Sequence, residues 1–238
     1  MRLGLYYDLR NPGGARSWAR VYAAALDRIG WADRAGIGAI WVTEHHGFAD
    51  GYLPAPLTFC AAIATRTSRA RIGTAVVVSP LIPRPLPVWV GARGPRGARL
   101  AGRTGAGLLW IDRDLFEPYL AGLAQADPPA LPRVGGLANV FLADDPDRVL
   151  AAVREHGRRN RASYEDAGAA GRETAFPKLR ILTPAAAAAW ISELCAGLPV
   201  TDVFCFGDIG GLDDDLVERH TELAVRELAP RQAEEGEL

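Results

Sequence analysis

Short apolar runs alternate with helical periods from one end of this chain to the other, and few folds accept that order. Residues 3–9 read as a strand and run into a turn at Asn11, Pro12, Gly13 and Gly14. Trp18, Tyr22, Ala25, Ile29 and Ala32 then recur on one face of a helix, and Gly36 stands where that helix should stop. Residues 39–43 and 71–78 are the next strands. Between them a helix from Pro56 is expected to carry Leu57, Cys60, Ala61 and Ala64 inward. Residues 88–91, 107–111, 140–143 and 203–207 continue the strand series, with a helix over 95–103. Asp145 before Pro146, and Thr183 before Pro184, have the form of helix N-caps followed by a first-turn proline. The last helix opens on Asp213, Asp214 and Asp215, suiting the positive end of its dipole, and should stop before Pro230. Alternation of this kind specifies a parallel sheet, open or closed into a barrel. The 238 residues lie close to the roughly 250 of one (β/α) barrel. Seven strands are legible, and residues 178–182 are an eighth candidate.

Residues 79–87 break the rhythm. Four prolines in nine residues exclude a helix there, although parallel neighbours normally need a crossover of a dozen or more residues. An extended polyproline segment would cover roughly 28 Å, just enough to return along a strand of about 20 Å. A missing βα unit is the simpler reading.

Composition narrows the partners. With 27 basic and 28 acidic residues the net charge is −1, so no long-range field draws the chain to nucleic acid or an anionic membrane. No run approaches the roughly 18 apolar residues of a membrane span, and the N-terminus enters a strand without a leader-like segment. Cys60, Cys195 and Cys205 are odd in number, lie in apolar runs and form no CxxC pair. They are expected to be reduced, buried thiols of a cytoplasmic protein rather than a disulfide frame. His156 and His220 fall on apparent helix surfaces, with no cysteine cluster to suggest zinc.

Two stretches could carry chemistry. Glu44, His45 and His46 follow the second strand, at the carboxyl end where parallel α/β folds bind ligands. An imidazole beside a carboxylate there can act as a general base or orient a ring; two loop histidines making ordinary hydrogen bonds are the plainer alternative. Gly91, Ala92, Arg93, Gly94, Pro95, Arg96 and Gly97 form a glycine-rich turn feeding a helix N-terminus. Its backbone N–H groups, with Arg93 and Arg96, suit a phosphate, although an arginine-bearing turn without a ligand has the same sequence. The glycines at 207, 210 and 211 read first as a tight turn.

These stretches resemble one family in matching order: residues 41–46, 50–57 and 71–76, with Arg10, Asn11 and Pro12 ahead of them. Residues 87–91, 94–96 and 100–103 then follow, and 207–211 through Pro230 close the series. Together they are similar to the bacterial-luciferase-like monooxygenases. That resemblance implies a TIM-like barrel, here reduced to about seven strands with one βα unit missing at 79–87, built as a single domain over 1–238. It implies flavin mononucleotide (FMN), or in some branches the deazaflavin coenzyme F420, at the carboxyl ends of the strands. His45 or His46, beside Glu44, would face the isoalloxazine, Ala75 would lie beneath it, and Gly91, Arg93, Gly94 and Arg96 would meet the phosphate. The implied activity is oxidation of a small organic molecule by reduced flavin and oxygen, or hydride transfer in the deazaflavin branches, with specialised metabolite biosynthesis as the setting. The shortening removes a phosphate-side arginine and part of the wall, as in the non-fluorescent flavoprotein of luminous bacteria. It therefore implies two further readings: a non-catalytic binder of flavin or a flavin adduct, or a partner subunit in a homodimer or family-member heterodimer.

Overall fold

The computed structural model describes residues 1–75, 88–164 and 179–235; the proline-rich stretch 79–87 lies outside them. In chain order the elements are β1 (Arg2–Tyr7), α1 (Trp18–Arg34), β2 (Ala39–Val42), α2 (Pro56–Ala64) and β3 (Arg71–Thr74). After them come β4 (Trp89–Val90), α3 (Pro95–Arg103), β5 (Gly107–Leu108), α4 (Arg113–Leu123), β6 (Val134–Leu137), β7 (Val140–Leu142) and α5 (Pro146–Tyr164). The series ends with β8 (Arg180–Leu182), α6 (Pro184–Cys195), β9 (Val200–Phe206), α7 (Asp214–Leu223) and α8 (Ala229–Glu235). Seven strands form one sheet in the order β3-β2-β1-β9-β6-β5-β4, with every pair parallel, while β7 and β8 pair separately.

Strand alternation divides the side chains into two sets. Leu3, Leu5, Tyr7, Ile40, Val42, Val203 and Cys205 face outward and form one core with α1, α2, α6 and the last helical segments. Ala39, Trp41, Leu109 and Phe204 face inward, packed by Tyr6, Ala75, Trp89 and Leu137. The sheet is therefore curled: Trp41 of β2 and Trp89 of β4 meet edge to face, 6.2 Å between ring centroids, although four strands lie between them in the sheet. Two indoles in so narrow an interior need room, and glycine supplies it. A Cβ on Gly4 or Gly73 would lie 3.1 or 3.0 Å from the Trp41 ring, and one on Gly107 only 2.5 Å from that of Trp89.

All seven expected strands are present among the described residues, and residues 180–182 of the eighth candidate form β8. Two elements are not evident from sequence. The pair Gly135 and Gly136 weakens any strand reading of β6, yet a Cβ there would press on Trp89 or Ile111. Pro118 removes a helical hydrogen bond inside α4, and packing on α3 compensates.

Three expectations are corrected. In α2 the buried residues are Pro56, Phe59 and Ile63, whereas Leu57 is 64 % exposed and Ala61 and Ala64 point outward. Almost every α2 residue is apolar, so periodicity could not choose its inner face. The terminal helix does not stop before Pro230, because a π turn at Ala224–Leu228 relays it into α8. Pro230 then sits in a first turn, where its missing N–H costs little.

His220 is the third correction, being fully buried rather than on a surface. Its Nδ1 accepts the Leu142 N–H at 2.9 Å, which leaves Nε2 to donate to the Phe206 carbonyl, and its ring stacks on Phe141. Burial pushes its pKa down to about 4. An unfolded chain takes up this proton near pH 6.5, so the contribution is complete above that value and is lost as pH falls toward 4. Relative to His220→Gln, the wild type should lose about 2 kcal/mol between pH 8 and pH 5, read by urea unfolding at each pH.

Candidate functional site

The carboxyl ends of the strands converge on one rim. β1 exits into Asp8, Leu9 and Arg10, β2 into Thr43, Glu44, His45 and His46, β3 into Ala75, and β4 into the turn 91–94. Backbone bonds tie these exits together: the His45 N–H donates to the Leu53 carbonyl (3.2 Å) and the Leu53 N–H to the Asp8 carbonyl (3.1 Å). The Asn11 N–H donates to Asp50 (2.8 Å), and the Ala75 N–H donates to Val42 (2.6 Å).

The two histidines occupy different environments. His46 is exposed and its Nε2 meets Glu44 Oε1 at 2.8 Å. His45 is half-buried, edge-on to Tyr52 at 4.2 Å and stacked on Phe48 at 5.3 Å. Burial holds the His45 pKa below its ordinary value; Arg10 lowers it further, against an upward pull from Glu44, with His46 and Arg93 also lowering it. His45 is thus neutral at neutral pH, with its ring able to accept a proton. Behind it the buried Arg10 packs over Tyr52 at 4.5 Å while its Nε meets Asp50 Oδ2 at 2.8 Å.

Arg93 reaches the same rim from the β4–α3 turn, over the Trp110 ring at 5.5 Å. Arg96 is exposed in the first turn of α3. That helix starts at Pro95 with no side chain capping it, so its first amides can receive an anion. A Cβ built on Gly91 or Gly94 would meet nothing within 4 Å. The turn is open, and these donors suit a phosphate. At the carboxyl end of β3, Ala75 borders the aromatic interior, and the buried Trp41 Nε1 has no partner among the described residues.

Asp8 and Asp50 also belong to this rim, and neither stood out in the sequence. The available signal was a lone carboxylate inside the apolar run 3–9.

Parallel strands curled around an aromatic interior, with a polar rim at their carboxyl ends, define a ligand-binding (β/α) barrel of the TIM type. The sequence model of the luciferase-like monooxygenases matches residues 1–83 and 79–192, and the chain belongs to that family. The oxygenase component of flavin-dependent trigonelline monooxygenase from Acinetobacter baylyi is 31% identical over 80 residues, 34% of this chain and 22% of that protein. The chain therefore matches less than a quarter of that relative's length. The monooxygenase RslO1 of Streptomyces bottropensis superposes with a TM-score of 0.79 at 17% identity, over 97% of this chain and 99% of that one. The oxygenating constituent of 3,6-diketocamphane monooxygenase from Pseudomonas putida, a type II Baeyer–Villiger enzyme in complex with FMN, gives 0.64 at 14% identity, over 97% and 98%. At such identities the structural likenesses establish the fold alone.

Proposed function

We propose that this protein is a flavin-dependent monooxygenase that oxidises a small organic molecule in specialised metabolite biosynthesis in the cytoplasm. It acts as a single, shortened barrel domain lacking one βα unit at residues 79–87. The observation that carries the reading is a half-buried, neutral His45 within electrostatic reach of Arg93 on the rim of a luciferase-like barrel. FMN is the cofactor we assign, and coenzyme F420 is the competitor.

Gly91, Arg93, Gly94 and Arg96 would hold the phosphate, through the α3 amides and the two guanidiniums. Ala75 would lie under the isoalloxazine, its small side chain leaving room for a ring. Bound flavin, once reduced, supplies the electrons that activate dioxygen. His45 Nδ1 or Nε2 would accept or return a proton beside that ring. Phe48 and Tyr52 keep water from the imidazole, and the Glu44–His46 pair closes the outer edge. The outward apolar face of α2, around Leu57, suits a second copy or a family-member subunit.

The deciding experiment is an absorbance and fluorescence titration with FMN and with F420, oxidised and reduced. Saturable FMN binding is expected, with His45→Asn weakening it roughly tenfold, the equivalent of one lost hydrogen bond. Tight binding with no turnover of reduced flavin would assign the non-catalytic role instead. No binding of either cofactor would leave the partner-subunit reading, and a strict monomer in sedimentation would remove that as well.

A further inference from the structure

Asp8 occupies a distinctive place on β1. Leu3, Leu5 and Tyr7 face the outer helices, while Gly4 lies against Trp41 and Tyr6 stacks on Phe204 in the interior. The same two-residue period carries Asp8 to the interior side, where β1 reaches the rim. The next residue, Leu9, has φ 54°, a left-handed conformation that branched residues seldom adopt and that is retained only where the surroundings enforce it.

Among the described residues, buried charge at this position is unbalanced. Three buried carboxyls, Asp8, Asp50 and Asp208, share the region with two buried guanidiniums, Arg10 and Arg28. Arg10 Nε meets Asp50 Oδ2 at 2.8 Å and Arg28 Nη2 meets Asp208 Oδ2 at 3.1 Å. Asp214, half-exposed, is met by Arg16 at 2.8 Å and by Arg28 at 3.4 Å. Asp8 makes no ion pair among the described residues; its carboxyl accepts only the Arg10 backbone N–H, at 3.3 Å. A third ionised carboxylate would stand uncompensated in a medium that solvates charge poorly.

We propose that Asp8 carries the exchangeable proton of this buried cluster and trades it with the molecule bound in the barrel mouth, offering a donor when protonated and an acceptor when not. Burial pushes its carboxyl up to about 7, against the pull of Arg10 and with help from Asp208 and Asp50. Asp208 is also raised by burial, but it has Arg28 for a partner. Tyr7, Asp8's chain neighbour, keeps its proton because burial drives its hydroxyl further up. Exchange with a ligand rests on the flavin reading of the rim; the location of the proton does not.

Three measurements separate these claims. In ligand-free protein the folded state holds a proton that the unfolded chain releases near pH 4. The wild type should therefore lose stability relative to Asp8→Asn as pH rises from about 4 to about 7. Parallel profiles would overturn the assignment. Carbon-13 NMR of aspartate-labelled wild type reads the same titration without a variant: one or more carboxyls should titrate near pH 7, and all of them titrating at about 4 would be contrary. With FMN as probe, the change in wild-type affinity across the same range should differ roughly tenfold from that of Asp8→Asn, whose amide cannot titrate; the phosphate and His45 contribute equally to both. Identical pH profiles for the two proteins would overturn the exchange. No FMN binding by either protein would overturn the flavin assignment and the exchange with it, leaving the unfolding profiles to decide where the proton resides.

Discussion

Trp41→Ala is expected to destabilise the protein by about 3–5 kcal/mol, the usual range for deleting a buried large aromatic side chain. The indole is the central piece of the barrel interior. It stacks on Phe204 at 5.2 Å between centroids, meets Trp89 edge to face, and fills the space that Gly4 and Gly73 leave open. These neighbours belong to β1, β3, β4 and β9, so the void would be shared by strands that cannot all close on it. For a domain of this size the loss corresponds to a fall in Tm of roughly 6–20 °C, read by calorimetry. Trp41→Phe should lose less than Trp41→Ala, because one aromatic ring is kept, the void is smaller, and the Trp41 Nε1 donates to no described group. If Trp41→Ala melts with the wild type, the interior is not packed as described.

The second large effect is expected at the α3–α4 contact, and there the sign is informative. Replacing a glycine by alanine stabilises a helix interior by about 1 kcal/mol, and less in the last turn, where Gly102 and Gly122 both lie. Here a Cβ on Gly102 would lie 2.1 Å from the Tyr119 carbonyl oxygen, and one on Gly122 2.1 Å from that of Arg99. Backbone atoms cannot rotate aside, so the helices would have to separate. Separation would disturb the cluster of Ala98, Ala101, Leu115 and Tyr119 beneath them. Either alanine variant should therefore cost about 3 kcal/mol despite its better helix propensity. Gly94→Ala, where a Cβ meets nothing within 4 Å, should change stability by less than about 0.5 kcal/mol. Equal melting temperatures for Gly102→Ala and Gly94→Ala would refute the close approach of the two helices.

Much of the architecture was legible because it depends on neighbours in the chain. The caps at Asp145 and Thr183 behave as expected: Asp145 accepts the Asp147 and Arg148 amides and Thr183 accepts that of Ala186. The α1 stripe of Ala25, Ile29 and Ala32 is buried, and the helix over 95–103 has the expected bounds. The position of Glu44, His45 and His46 at a strand's carboxyl end also followed from order alone. Which histidine is sheltered did not, since that depends on Phe48, Tyr52 and Arg10 folding back over His45. Residues 140–143 were legible as a strand, but not that they pair with β8 outside the main sheet while a glycine-rich segment takes the sheet position as β6.

Sequence by itself determined the class of fold, the order of most of its elements and the end of the barrel on which a ligand would sit, because period, cap and turn are short-range properties. Tertiary structure decided which glycines admit a ring or a helix, that Leu57 faces outward, that His220 is sealed in neutral form, and that Asp8 makes no ion pair among the described residues. Those outcomes depend on distances between segments far apart in the chain, and a hydrophobic period records that a face is apolar without recording what it meets.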